Sequence, residues 1–421
     1  MRIIRLGEVS QVTSSKRIFA KQYVDKGVPF YRQKEIIEIS NGNEISDPLF
    51  ISEDVYENIK KSFGAPKKGD LLITAVGVTL GIPYLVGDEK FYFKDGNLIW
   101  CKEFEDDINP KYVYYWIKSD VGQKAIWSRT IGSAQPALTI DLVKQYEVSI
   151  PDIETQNKVV RILDLYDCMI ENNQKQIKML EEAAQRLYKE WFVDLRFPGY
   201  KDVQIVDGVP EGWDILLLGD AISYEIGGGW GEDTVTGKNE HKAYVIRGTD
   251  FDGLRNGEFL GIPLRFHTES NLSSRRLEHG DIVFEVSGGS RTEGVARTVR
   301  IISAMLNRWN KPVICASFCK LIRPLNIELS QYLFDHLRYL RAEKITEEFD
   351  KRSASSIVNF RWKDFLSQRK ILYPDRNVLA KYNSVAVPIY EKIVALSLQI
   401  ETAKMARDRL LPKLMSGEIE L

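Results

Sequence analysis

The chain has 421 residues, 44% of them apolar, and its 58 Lys and Arg against 59 Asp and Glu leave a net charge of −1. That length implies about two to four domains with real cores. The charge excludes a nucleic-acid binder driven by overall charge and an acidic disordered chain, but not one with local basic patches.

No apolar run approaches the roughly 18 residues of a membrane span, and the opening MRIIRLGEVS turns polar too early for a secretory signal. Cys101, Cys168, Cys315 and Cys319 have no framework spacing, so free thiols in a reducing cytoplasm are expected.

In chain order, segments rich in Val, Ile, Tyr and Phe, bounded by Gly, Pro, Asn and Asp, predict strands at 70–76, 82–86 and 98–101. Residues 54–63 and Pro110–Lys118 read as helices. A long helix is predicted from Ile153 to about Trp191, with Asp152 as N-cap and Glu154 in its first turn; Pro198-Gly199 ends the region. The second half predicts strands at 242–247, 281–286 and 317–322 and a helix at 329–340. A second long helix follows Asp375 and runs to about Leu411. Breaks or kinks are expected at Pro388 and Pro412, and Ser416-Gly417 closes the region.

The order of these textures repeats. IIRLGE at 3–8 resembles ILLLGD at 215–220, offset by 212 residues. Phe30-Tyr31-Arg32 resembles Val245-Ile246-Arg247, and Gly69-Asp70-Leu71-Leu72 resembles Gly280-Asp281-Ile282-Val283. Ser133-Ala134 and Pro151-Asp152 recur as Ser353-Ala354 and Pro374-Asp375. Five matches in one order, with slowly drifting offsets, imply two similar halves of mixed α/β (α+β) character, each ending in a long helix.

The long helices carry matching apolar seams at 3–4 spacing. The first is Leu163, Tyr166, Ile170, Asn173, Ile177, Leu180, Ala184, Leu187 and Trp191. Adding 223 gives Ala386, Ile389, Ile393, Leu396, Ile400, Ala403, Arg407, Leu410 and Leu414. A helix of about 38 residues spans nearly 60 Å, longer than a small domain is wide. The two copies are therefore expected to pair antiparallel as a coiled coil, with Asn173 near Ala403 and Arg407 near Ile170. Gln174, Lys175, Lys178, Glu181 and Glu182 fill outer positions. Leucine at both polar seam sites is expected to raise thermal stability and loosen register. Two ordinary core helices, each against its own domain, are the alternative.

Catalytic and metal signatures do not emerge. The chain has no Pro-Pro, hence no Asn-Pro-Pro-Tyr-type motif of amino-methyltransferases. GEDTVTGKN at 231–239 misses the phosphate-loop spacing, and Asn239 stands where a Mg²⁺-binding Ser or Thr is needed. The Gly227-Gly228-Gly229 run misses the dinucleotide fingerprint. Cys315 and Cys319 have no second Cys or His pair and read as buried thiols. His241, His267, His279 and His336 lack metal-site spacing. The chain reads as a binder without its own active site.

Local charge supports a nucleic-acid partner. Residues 16–34 hold Lys16, Arg17, Lys21, Lys26, Arg32 and Lys34 against Asp25, interleaved with Phe19, Tyr23, Phe30 and Tyr31. Lys60, Lys61, Lys67 and Lys68 follow. In the second half stand Arg291, Arg297 and Arg300, then Lys351, Arg352, Arg361 and Lys363. Such groups neutralise phosphates; any single lysine is more readily a solvated surface residue. Arginines in glycine turns suit base edges better, because their forked donors match guanine. Gly288-Gly289-Ser290-Arg291-Thr292 is such a turn, with Gly77-Val78-Thr79-Leu80-Gly81 in the equivalent place. Arg129 and Arg247 join the DNA-binding candidates. Pairing of Arg291 with Glu293 on the surface is the alternative to base contact.

Several motifs then carry a family likeness: GSAQPALT at 132–139, SIPDIETQNKVVRILD at 149–164, LYKEWFVDLRFPG at 187–199 with VPEGWDILLLGD after it, and RLLPKLMSGEIEL at 409–421. Together they resemble the DNA-specificity (S) subunit of type I restriction-modification systems over nearly the whole chain. The resemblance implies two target-recognition domains, at 1–150 and 197–374, each reading one half of a bipartite asymmetric site in double-stranded DNA. Spacer helices at 151–196 and 375–421 would set the half-site spacing and dock two methyltransferase (M) subunits. Two restriction (R) subunits would complete the assembly. S-adenosylmethionine, ATP and Mg²⁺ would belong to those partners, with no cofactor or metal bound by this non-catalytic, cytoplasmic chain. Gln135 of GSAQ and Ser290 and Thr292 of the glycine turn join the DNA-contact candidates, as does Thr79. SASSIVNF at 353–360 lacks the Gln of GSAQ, so that loop is expected to contact DNA differently. A diverged DNA-modifying enzyme and a scaffold that binds the same partners without reading DNA stay open.

Overall fold

Two sheets and a closing ribbon occur twice along the chain, in the same order. The computed structural model describes residues 1–40, 45–128, 136–288, 294–352 and 357–421. The chain falls into two compact units, residues 1–171 with 403–421, and residues 172–402.

In the first unit one antiparallel sheet has the order Gln11–Thr13, Leu98–Lys102, Leu71–Thr74, Pro83–Leu85, with Leu72 opposite Trp100. A second sheet has the order Tyr23–Val24, Leu49–Ile51, Val28–Tyr31, Tyr92–Phe93, the last pair parallel. The ribbon pairs Arg2–Arg5 with Glu147–Ile150. Leu71–Thr74 is buried at every position, as expected of a central strand covered on both faces. The helix Pro110–Lys118 lies where the sequence predicts it: Pro110 needs no N–H at its first position, and Asn109 caps Lys111 at 2.9 Å. It buries Tyr112, Val113, Tyr115, Trp116 and Ile117, each worth about 1.5–3 kcal/mol of apolar burial.

The second unit repeats the plan. Its larger sheet has the order Ile222–Gly227, Cys319–Pro324, Ile282–Glu285, Thr298–Arg300, all antiparallel. Its smaller sheet has Leu264–His267, His241–Ile246 and Val313–Cys315, again ending in a parallel pair. The ribbon pairs Asp214–Leu217 with Lys370–Tyr373, and Glu328–Ala342 is the counterpart of the first helix. One addition is a three-stranded sheet of Ser287–Gly288, Val358–Phe360 and Asp350–Arg352.

The long helices are Ile153–Tyr188, continued by a π turn over Lys189–Val193, and Arg376–Ser416. The boundary between the units falls inside both. The Asp152 carboxylate accepts from Thr155 N at 2.9 Å, the expected cap. The predicted end near Leu411 is corrected: the second helix passes Pro388 and Pro412 without a break and stops at Ser416, before Gly417 at φ +74°. Each proline deprives one carbonyl, that of Ser384 or Asp408, of its partner. Both residues are exposed, so their carbonyls need no partner from the protein, while buried Ala386, Tyr390, Leu411 and Leu414 hold the flanking turns.

Within each unit the two helices run antiparallel. In the first unit Arg407 meets Asp167 and Lys158 reaches the Leu421 carbonyl; in the second Asn173 donates to Gln399 at 3.3 Å and Trp191 packs on Tyr382. The register differs from the expected one by about a turn, since Arg407 lies at Asp167 and Asn173 at Gln399. Leu163, Ile170, Ile177, Ile393, Leu396, Ile400 and Leu414 are buried, whereas Tyr166, Leu180, Leu187, Ile389 and Leu410 are half-buried. The buried stripe is wider than an a/d seam, because Tyr188, Tyr382, Tyr390 and Val394 also join the core of the second unit. Glu181, placed among outer positions from the sequence, is buried and paired with Arg255 and Arg338.

Candidate nucleic-acid interface

Each repeat ends a strand of its smaller sheet in an arginine that is locked to an acid three residues on. After Val28–Tyr31, the Arg32 backbone N–H donates to Glu35 at 2.6 Å and its guanidinium donates to the same carboxylate at 3.0 Å, with Asp47 on its other side at 3.1 Å. After His241–Ile246, Arg247 donates from its backbone to Asp250 at 2.8 Å and from its guanidinium at 2.6 and 2.9 Å. Chain continuity into a helical turn places the acid back over the arginine N–H, which is the geometry of a cap. The acids were missed from sequence, although RQKE at 32–35 and RGTD at 247–250 share the 215-residue offset of the repeat.

A second segment meets this turn from the larger sheet. In the first repeat the chain leaves Leu71–Thr74 into a turn at Gly77, φ +77°, a conformation that favours glycine. The Gln33 side chain, next to Arg32, donates to the Val76 carbonyl at 2.7 Å and to Thr79 Oγ1 at 3.2 Å. The stretch after GSAQ joins from a third direction: Gly77 N donates to the Pro136 carbonyl at 2.9 Å and Leu138 N to that of Ala75 at 2.8 Å. The second repeat does the same with other residues. Ser287 and Gly288 pair with Asn359 and Val358, and Phe360 N donates to Val286 at 2.8 Å. Three of the segments singled out from sequence therefore converge in the first repeat: the arginine turn, the glycine turn and the stretch following GSAQ; in the second, the arginine turn and the stretch following SASS meet the strand Ser287–Gly288 that leads into the glycine turn.

Buried carboxylates fix the base of this convergence in the second repeat. Glu285 receives Arg297 at 2.8 and 2.6 Å, and Asp281 receives Arg323 at 2.8 and 2.9 Å. Its first-repeat counterpart, Asp70, accepts from Trp100 and from the Lys67 backbone, both at 2.9 Å. Burial drives the Asp70 carboxyl above its ordinary value, with those bonds opposing.

The basic residues of the first half lie differently. Lys16 stands over the Phe63 ring at 4.6 Å, and Arg17 pairs with Asp95 at 2.8 Å. The predicted helix at 54–63 is Glu53–Phe63, capped by Ser52. In its last turn Lys60 reaches Glu57 at 3.6 Å and Lys61 is exposed. Lys351 and Arg352 occupy the short strand Asp350–Arg352. Arg129, Gln135, Ser290, Arg291 and Thr292 lie outside the described residues. Cys315 and Cys319 are buried, and burial pushes both thiols up, Cys315 to about 12.

Residues 1–182 match the family model of the type I restriction modification DNA specificity domain. The chain is 26% identical over 329 residues to the type I restriction enzyme MjaIX specificity subunit of Methanocaldococcus jannaschii, covering 75% of this chain and 71% of that one. It is 22% identical over 461 residues to the type I restriction enzyme HindI specificity subunit of Haemophilus influenzae, covering 94% and 97%. In fold it is similar to the crystal structure of the type I restriction-modification system S subunit from M. genitalium, with TM-score 0.59, 14% identity, and 98% and 95% of the two chains covered. The resemblance to type I specificity subunits, read first from the motifs, is thereby shown, as is the α/β architecture of two similar domains with two long helices.

Proposed function

We propose that this chain, whose first 182 residues match the family model of the type I restriction modification DNA specificity domain, reads a bipartite asymmetric DNA site and delivers partner enzymes to it. Residues 1–150 and 197–374 would each take one half-site. The helical stretches at 151–196 and 375–421 would set the spacer and dock two methyltransferase subunits, with two restriction subunits completing the complex. Catalysis, S-adenosylmethionine, ATP and Mg²⁺ are assigned to those partners, and the site of action to the cytoplasm.

One observation carries this reading. The segments that sequence marks for DNA contact converge in the first repeat, and in the second the arginine turn and the stretch following SASS meet the strand leading into the glycine turn, on different side chains. Two copies of one scaffold with different residues at equivalent points suit a site whose halves differ in sequence.

The test is to express the chain with its methyltransferase partner and sequence the methylated adenines. Replacing residues 1–150 by the first domain of another specificity subunit should change one half of the methylated motif and leave the other. Both halves changing together would refute independent reading. Cleavage or methylation by the purified chain alone would favour a diverged enzyme, and equal affinity for random and cognate duplex would favour a scaffold.

A further inference from the structure

The two repeats differ in side chains at one equivalent point. Val286 N donates to the Phe318 carbonyl at 2.9 Å as Ala75 N donates to that of Asn97 at 2.9 Å. With the arginine turns, this equates Phe318 with Asn97, Glu285 with Thr74, and Gly248 with Gln33. In the first repeat the position is self-satisfied. Gln33 binds both backbone groups of Val76, and Thr74 Oγ1 donates to the Thr79 carbonyl at 2.6 Å while accepting from Ile82 N at 2.9 Å.

In the second repeat the side chain is missing, and a cleft of about 530 Å³ is lined by Trp230, Arg247, Glu285, Ser287, Arg297 and Phe318. That is the size of a small-molecule site. A Cβ on Gly248 would stand 2.4 Å from a Glu285 carboxylate oxygen, so the glycine is what lets this buried carboxylate keep its place in the wall of the cleft. Arg297 uses one acceptor position on each Glu285 oxygen, and no other described residue donates to that carboxylate. Phe318 is 60% exposed. Trp230 is held in place by Arg265, whose guanidinium lies 4.3 Å from the ring centroid and donates to the Trp230 carbonyl at 2.8 Å and to that of Gly231 at 3.1 Å.

Aromatic walls, a carboxylate acceptor and guanidinium donors around one cavity match a flat heterocycle that carries an amino group. The amino group donates to the carboxylate, ring acceptors take guanidinium protons, and the faces stack. The volume admits the whole ring and not only its edge, as for a base taken out of its stack. We propose that this cleft binds one amino-bearing nucleobase, and that the first repeat lacks such a site because Gln33 fills it. Whether the base comes from duplex DNA rests on the DNA-reading function; a free nucleotide offers the same chemistry.

The full chain with its methyltransferase partner is tested as wild type, Phe318→Ala and Ser317→Trp, with Asn97→Ala as the first-repeat control and thermal unfolding to confirm folding. The probes are duplex carrying the methylated site, and adenosine, cytidine, inosine and uridine monophosphates. Both cleft variants should weaken binding roughly tenfold or more, whereas Asn97→Ala should not. Loss on duplex identifies a DNA base. Loss confined to the adenosine and cytidine monophosphates, with the amino-free nucleotides bound poorly by wild type, identifies a free nucleotide. Folded variants that bind every probe like wild type overturn the cleft assignment even if the duplex is still read. A wild-type complex without sequence preference instead overturns the DNA-reading function, and the nucleotide arm still decides the cleft.

Discussion

Arg407 of the second long helix donates to Asp167 of the first at 2.6 Å, and the same carboxylate accepts the Tyr115 hydroxyl at 2.8 Å from the helix Pro110–Lys118. Both charged side chains are less than a fifth exposed. Burial opposes ionisation of Asp167, but Lys118 and Arg407 together hold its carboxyl below the ordinary value. Removing one partner of such a pair strands the other. Arg407→Leu should therefore destabilise by about 2–4 kcal/mol, and adding Asp167→Leu should recover most of it. This reverses the gain expected from sequence for leucine at Arg407, while Asn173→Leu, which loses one 3.3 Å bond to Gln399, should cost little. Denaturant unfolding of the three variants decides; a neutral Arg407→Leu would remove the pair as a register lock.

The sequence marks Arg32 as a DNA contact, but its surroundings predict a stability role. It is the cation on Glu35, whose side chain is fully buried. Arg32→Ala should cost on the order of 3 kcal/mol of stability, and Arg32→Lys should not rescue it, because the fork is lost. Duplex affinity measured well below the unfolding transition should be unchanged. A selective loss of affinity with stability intact would return Arg32 to the DNA surface.

Base readout and phosphate contact separate by their salt dependence. Arg291→Ala should cost about 1–3 kcal/mol on the cognate site and relax one base pair. Lys60→Ala with Lys61→Ala should weaken all sequences alike and flatten the salt dependence by roughly 1 to 2 units of slope. Titration of matched and single-mismatch duplexes at several salt concentrations tests both. Equal loss on matched and mismatched sites would make Arg291 a phosphate contact, and no loss would make it a surface partner of Glu293.

The spacer function makes a geometric prediction. Inserting one or two heptads into both long helices should lengthen the spacer in the methylated motif and leave both half-sites intact. An unchanged spacer with altered half-sites would remove the helices as the ruler.

Asp335 supplies a pH signature. Burial pushes its carboxyl up to about 6, although Gln331 and Tyr382 donate to it at 2.8 and 2.7 Å. Its stabilising protonated form is fully present below the unfolded pKa near 4 and is lost as pH rises through 6. Neighbouring His336, pushed down to about 3 by burial, acts oppositely, losing stability as pH falls from 6.5. Asp335→Asn keeps an acceptor for both donors and cannot ionise. Relative to wild type it should therefore gain about 3 kcal/mol between pH 4 and pH 7. Denaturation midpoints that track wild type across that window would place the ionised carboxylate in a compensated site.

Sequence alone determined what depends on local patterning: the repeat, the helix Pro110–Lys118, the Asp152 cap, and the glycine turn at Gly77 after the first central strand. These follow from periodicity, capping chemistry and backbone freedom, which neighbouring residues decide among themselves. The tertiary structure decided what depends on residues far apart in the chain. Pro412 does not end its helix, because buried Leu411 and Leu414 hold the turn in the core. Glu181 is an inward ion partner, because Arg255 and Arg338 come to it from other elements. Gln33 and Gly248 occupy one position of the repeat, yet only the fold shows that the first fills a space that the second leaves open beside Glu285. A side chain's presence is written in the sequence, whereas the space it fills is made by strands more than thirty residues away.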